Sequence, residues 1–335
     1  MTTPGAHMKS ELAEAPAVFA NTIRSAISVP HAAKIAALHP KAIYTIARGS
    51  SDAAANILSY EFMRELGLPM TSLPPSIFSL GRGVDLAGTL ALIISQSGAS
   101  CDLILSAKGA RARGATVIGL INAPKSPVAE HVHLTLPIGA GPERAVPATK
   151  SVVGSIAAGM ALLSHLVPAY AARAEASAHA FDPLNLTLPQ SKALIAALLN
   201  ARHIYVIGRD TGYGAAQELA LKLKETCALH AEAYSSSEVL HGPLQLATKP
   251  LLILILDTEQ PAIQASLNTA EARFQAAGGT TYRLRPSDVG VQNLTPAAAA
   301  AMLLCLAYPL VLATALALGH DPDRPETLAK VTQTI

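Results

Sequence analysis

The chain writes one strand–turn–helix unit twice. IYTIARGSSDAAA at 43–55 aligns with IYVIGRDTGYGAA at 204–216, sharing Ile-Tyr, a second Ile, an Arg and paired alanines at one constant offset. LIIS at 92–95 aligns with LILD at 254–257 in the same way. These are short apolar runs that end in turn residues and are followed by helical periodicity. That pattern is the mark of a strand buried on both faces, as in a parallel sheet covered by helices.

The rest of the chain can be read around this repeat. Residues 8–39 read as helical, with breaks at Pro30 and Pro40. The run 42–47 is a strand leading into Arg48-Gly49-Ser50-Ser51 and a helix to Gly67. The run 90–94 is a second strand, opening into SQSGAS at 95–100 and a helix to Arg113. Further strands are expected at 117–121 and 132–136. One long helix over 149–173 and a polar, proline-punctuated stretch near 182–190 then join the two units.

Charge and aromatic content exclude some functions. The formal net charge is +2, with no basic stripe and only 4% aromatic residues, so neither phosphate neutralisation nor base stacking on nucleic acid is expected. The three cysteines, Cys101, Cys227 and Cys305, are odd in number and far apart, which argues against a disulfide framework and for a reducing cytoplasm. The N-terminus lacks the apolar core of a signal peptide. The uncharged run 297–319 is long enough to cross a bilayer. Its alanine block, its Pro309 and the lack of flanking basic clusters favour a buried helix, so no membrane partner is expected.

Two stretches concentrate chemistry. In SQSGAS several hydroxyls meet a glycine at a helix start, where free backbone N–H groups and the positive dipole end favour an anion. Ser51 converges on them from the neighbouring strand end, although Ser97 or Ser100 could equally cap the helix. The matching loop of the second unit is DTEQ, whose Asp257 and Glu259 would repel a phosphate. No Walker or dinucleotide glycine pattern is present, so a small phosphorylated metabolite fits better than a nucleotide. The second stretch, 219–243, puts Glu218, Lys222 and Glu225 on one helix face and Leu219, Ala220, Leu223 and Cys227 on another. Such a Glu–Lys set is either a solvated ion pair or catalytic machinery. His230, Glu232, Tyr234, three serines, Glu238 and His241 follow it. Glu225, His230 and His241 lack the short histidine spacing of a zinc helix.

ARGSS at 47, SQSG at 95, Thr149-Lys150, LKLKE at 221, HAEAY at 230, HGP at 241 and LAK at 328 occur in this order. Together they resemble the double sugar isomerase (SIS) domain family over nearly the whole chain. The wording CALHAEAYSSSEVLHGP and the final KVTQTI are similar to the stand-alone type II glucosamine-6-phosphate deaminases and AgaS-like proteins, relatives of the isomerase half of glucosamine-6-phosphate synthase. The resemblance implies an α/β fold of two tandem SIS domains, each a parallel sheet flanked by helices in a flavodoxin-like three-layer arrangement. It divides the chain into N-terminal helices (1–40) with no glutaminase domain, a phosphate-binding domain (41–175), a catalytic domain (190–319) and an active-site tail (320–335).

By the same resemblance, Ser50, Ser51, Ser95, Gln96, Ser97 and Ser100 would hold a sugar phosphate, with Val146 and Ala329 lining the sugar. Glu225 would move a proton between C2 and C1, and Lys222 would assist at the neighbouring heteroatom. His241, donated across a homodimer interface, would open the ring. Lys330 matches the lysine that forms a Schiff base in the synthase. Ala99 and Ala148 depart from the synthase pattern, which usually has glutamate and serine there. The implied reaction is deamination of glucosamine 6-phosphate to fructose 6-phosphate and ammonia, with no metal or redox cofactor. Related reactions on galactosamine 6-phosphate or a fructosamine 6-phosphate, ammonia-dependent synthesis, and a non-catalytic phosphosugar sensor remain alternatives.

Overall fold

The apolar runs of the first unit form strands that pair in parallel because each is followed by a helix that carries the chain back to the same end of the sheet. The computed structural model describes residues 3–182 and 186–330. Two helices, α1 (Ala6–Ser25) and α2 (Val29–Ala36), precede β1 (Ile43–Ile46) and α3 (Gly49–Leu66). Then come β2 (Met70–Ser72), α4 (Ser76–Ser79), β3 (Leu90–Ser95), α5 (Cys101–Ala112), β4 (Thr116–Ile121) and β5 (Leu134–Pro137). Their sheet runs β2-β1-β3-β4-β5, parallel throughout, with Ile43 opposite both Met70 and Leu90.

The expected long helix over 149–173 is two helices, α6 (Lys150–Leu166) and α7 (Pro168–His179). Pro168 cannot donate to the preceding turn, so the first helix stops at Val167 and a new one begins. After α8 (Ser191–Asn200) the second unit repeats the plan with β6 (Ile204–Gly208), α9 (Thr211–Cys227), β7 (Ala231–Ser235), β8 (Leu252–Leu256), α10 (Gln264–Ala276) and β9 (Thr280–Leu284). Its sheet order is β7-β6-β8-β9, the same order as the first four strands of the other sheet. The chain is therefore an α/β protein of two parallel sheets flanked by helices.

The uncharged run becomes α11 (Pro296–Ala317), with mean hydropathy 2.1 and 83% of its most apolar window inside the fold. It is long and apolar enough to cross a bilayer by composition alone, yet it packs on α9, α6, α8, α3 and α1. The helices α3 and α9, which open the two repeated units, pack directly on one another. One apolar core runs continuously through both units, from Met8 and Phe62 to Leu223 and Tyr308.

Candidate active site

The order β2-β1-β3 sends the connections from β1 and from β3 in opposite directions across the sheet. Their carboxyl ends therefore part, which is where open α/β sheets bind ligands. A cavity of about 510 Å³ lies there. Ser50 and Ser51 line it from the β1 end, and Ser95, Gln96, Ser97 and Ser100 from the β3 end. Val146, Ala148 and Lys330 also line it.

The loop after β3 is shaped by Gly98. Its φ is +61°, and an added Cβ would stand 2.0 Å from Ser126 Oγ. Its N–H donates to Ser95 Oγ at 2.9 Å, folding the loop back over the strand end. Ser100 occupies the N-cap position of α5, but its side chain makes no capping hydrogen bond. Of the two readings left open for Ser100, side-chain capping is therefore not the one observed. Among the described residues Ser97 Oγ accepts a local 3.3 Å bond from Ala99 N–H. The neighbouring Ala99 is exposed. The first-turn N–H groups of α3 and α5 flank the same cavity and favour an anion there.

A cation in this wall escaped the sequence reading. Arg48 lines the cavity, and its Nε donates to Asp102 at 2.8 Å. Asp102 is fully buried, whereas the Arg48 side chain is 52% exposed, so one edge of the guanidinium is anchored and the rest is free to meet an anion. The repeat hid it, because Arg209 holds the matching place in the second unit. There Arg209 is tied to Ser235 at 2.9 Å and to Ser237. The DTEQ loop also differs from expectation. Asp257 does not present a free charge, being 1% exposed and paired with Arg283 at 3.2 Å and Arg285 at 3.4 Å. Glu259 accepts from Ser287 N–H at 3.0 Å.

Both faces of α9 are internal. Lys222 and Glu218 are fully buried, and Lys222 Nζ stands 3.5 Å from Glu218 and is hydrogen-bonded to Glu225. This is not a solvated ion pair. Tyr308 Oη donates to Glu218 at 3.1 Å. Burial pushes the Glu218 carboxyl up to about 7, against the pull of Lys222 and of hydrogen bonding from Ser50 and Tyr308. Burial works against the Lys222 charge, but the two carboxylates outweigh it and its pKa is raised. Ser50 lines the cavity at the start of α3, the helix that packs on α9. Glu218 shared the charged face in the sequence, but only packing shows that it stands buried between Lys222 and Tyr308.

Glu225 does not line the anion cavity. It borders a second one of about 520 Å³, walled by Lys224, Thr226 and tail residues such as His320, Arg324 and Leu328. Lys330 Nζ donates to Ala145 O at 2.7 Å and to Glu143 at 3.3 Å. Ala329 is exposed and stands outside the cavity lining. His241, at the end of a short 3-10 turn (Glu238–His241), is exposed and lines neither cavity. The remainder of the KVTQTI ending, 331–335, lies outside the described residues. Among the described residues no group of three or more His, Cys, Asp or Glu side chains is placed to hold a metal ion.

The SIS domain family matches residues 38–165 and 197–282. A glutamine–fructose-6-phosphate aminotransferase (isomerizing) from Zymomonas mobilis is 29% identical, covering 96% of this chain and 58% of its own length. The enzyme of that name from Symbiobacterium thermophilum is 31% identical, covering 89% of this chain and 52% of its own. The chain spans about half the length of these curated relatives. A crystal structure of a protein assigned as a phosphosugar isomerase from Silicibacter pomeroyi DSS-3 superposes with a TM-score of 0.79 at 31% identity, covering 94% of this chain and 99% of that one. The glucosamine-6-phosphate deaminase of Thermotoga maritima has the same fold, with a TM-score of 0.79 at 22% identity over 98% of this chain and all of that one. With two repeated parallel sheets, a hydroxyl-lined cavity at the switch point of the first, and family segments that cover both, the chain belongs to the SIS domain family.

Proposed function

We propose that the chain deaminates glucosamine 6-phosphate to fructose 6-phosphate and ammonia. The observation that carries this reading is the hydroxyl-lined cavity with Arg48 in its wall, together with the buried Lys222 bonded to Glu225 on α9. These supply an anion pocket and a lysine-paired carboxylate, the two parts that proton transfer on a phosphorylated sugar requires. The phosphate sits against Ser51, Ser95, Gln96, Ser97 and Ser100, with Arg48 neutralising part of its charge.

In the open-chain aldose, the Glu225 carboxylate takes the C2 proton and leaves an enolamine across C1 and C2. The proton returns at C1, giving the C2 imine. Water then adds at C2 and ammonia departs, so the ketose forms with no net oxidation. A positioned acid or base contributes about 10² to 10⁴ in rate. Lys222 orients Glu225 and holds its charge. His241 of a second subunit opens the ring, making the active unit a homodimer. The three unpaired thiols suit a cytoplasmic setting.

The match to a protein assigned as a phosphosugar isomerase supports a second reading, in which the same proton transfer interconverts an aldose and a ketose phosphate without loss of nitrogen. Ammonia release and ketose formation are to be measured together on a panel of hexose and hexosamine 6-phosphates, with wild type and Glu225→Gln. Glu225→Gln is expected to abolish both. Ketose without ammonia selects the second reading, and tight binding without turnover removes both. Release that persists in Glu225→Gln overturns the role of Glu225.

A further inference from the structure

The two ends of the described chain meet at Asp323. Its carboxylate is 5% exposed and accepts from two of the free N–H groups that open α1, from His7 at 2.8 Å and from Met8 at 2.8 Å. Asp321 accepts a third, from Gly5 at 3.0 Å, and also takes the Asp323 N–H at 3.0 Å. Helix α1 spans 20 residues, begins at a glycine N-cap and has no side-chain cap of its own. It takes its cap from a residue 315 positions away. A carboxylate at a helix N-terminus gains from charge-assisted bonds and from the dipole, so this junction is firmly made.

The same residue reaches the anion cavity through its backbone. Asp323 O accepts from Val146 N–H at 3.3 Å, and Val146 lines that cavity. Seven residues later Lys330 returns to the same loop, donating to Ala145 O and to Glu143. Glu143 is buried and holds the start of α6, accepting from Thr149 N–H at 3.0 Å, Ser151 N–H at 3.1 Å and Ser151 Oγ at 2.6 Å. From α1 itself, Glu11 accepts from Arg144 N–H and from Ala145 N–H at 3.3 Å. The cavity loop is thus held by α1, by the Asp323 carbonyl and by Lys330.

We propose that Asp323 is a positioning residue: by capping α1 it sets where Lys330 and the Val146 loop stand in the cavity wall. The amino-terminal helix then belongs to the framework of the site, although none of its residues lines the cavity. The inference rests on the reading of this cavity as the phosphosugar pocket, and the experiment separates the two.

Asp323→Ala and Asp323→Asn are made in the full chain, the second keeping one acceptor oxygen while losing the charge. Acylation of Lys330 by an N-hydroxysuccinimide acetate is followed by peptide mass spectrometry, with exposed Lys249 as internal reference. Kinetics of ammonia release and the thermal midpoint are measured in parallel. With the anchor gone, Lys330 acylation is expected to rise roughly tenfold in Asp323→Ala, and by less in Asp323→Asn. KM for the hexosamine phosphate rises alongside. A lowered midpoint with Lys330 reactivity and KM unchanged reduces Asp323 to a helix cap and overturns the proposal. If Asp323→Ala does not fold, the same comparison is made with Asp323→Asn. If wild type releases no ammonia, the deaminase reading fails while the acylation readout still decides the role of Asp323.

Discussion

Replacing Lys222 with methionine tests whether charge or packing governs the centre of α9. The Lys222 amine sits 3.5 Å from Glu218 and bonded to Glu225, with Lys222 and Glu218 both shut away from solvent. Methionine is close to lysine in length and flexible enough to fill its space, so little cavity cost is added. What remains is a buried carboxylate without its cation, and breaking a buried pair on one side costs about 3–5 kcal/mol. That is a large part of a typical stability of about 5–15 kcal/mol. Glu218 already titrates near 7, above its ordinary 4.5, chiefly through burial, and loss of the amine moves it further up. A raised folded value means stability is kept at low pH and lost as pH climbs through that value. The destabilisation of Lys222→Met through Glu218 should therefore be small near pH 5 and grow as pH rises above 7. Urea unfolding at pH 5 and pH 8, read as a midpoint shift at constant slope, measures it. The double variant Lys222→Met/Glu218→Gln leaves only the partly exposed Glu225 carboxylate without its cation and should regain much of the loss at pH 8. A double variant as unstable as the single one, or a loss independent of pH, would refute the electrostatic account.

Two further outcomes follow from geometry. Glu61 is buried against Tyr170 Oη at 2.8 Å, and burial raises its carboxyl from 4.5 to about 7. Relative to Glu61→Gln, wild type should lose about 3 kcal/mol between pH 4.5 and pH 7, at 1.36 kcal/mol per pH unit, and equal pH profiles would contradict this. Gly98→Ala places a Cβ 2.0 Å from Ser126 Oγ at a φ of +61°, so phosphosugar affinity by calorimetry should drop about tenfold or more. Gly141→Ala, at a φ of +65° with no atom within 4 Å, is the control for backbone strain alone, and equal losses in both would discount the clash.

The parts of the fold that could be read from the sequence are those whose burial is complete. β3 and β8 are buried at every position and, but for Ser95, apolar throughout, so they stood out as short bounded runs. β2 is three residues long with two exposed, and β9 is half-exposed TTYRL at a sheet edge, so neither carries a periodic signal. The serine loops could be read because hydroxyls beside a glycine at a helix start have a local chemical meaning. Arg48 could not be read as a ligand, since its orientation depends on Asp102, 54 residues away. The role of Asp323 was hidden for the same reason, because its partners lie at the opposite end of the chain.

The position of α11 in the order of synthesis has a consequence for how the protein matures. Every helix it packs against, α1, α3, α6, α7, α8 and α9, leaves the ribosome before it does. Until those 22 uncharged residues arrive, the faces that receive them stay uncovered, among them the Glu218 carboxylate that Tyr308 Oη meets. An apolar segment that docks last leaves its receiving faces uncovered until then, the condition under which a folding chain is exposed to aggregation.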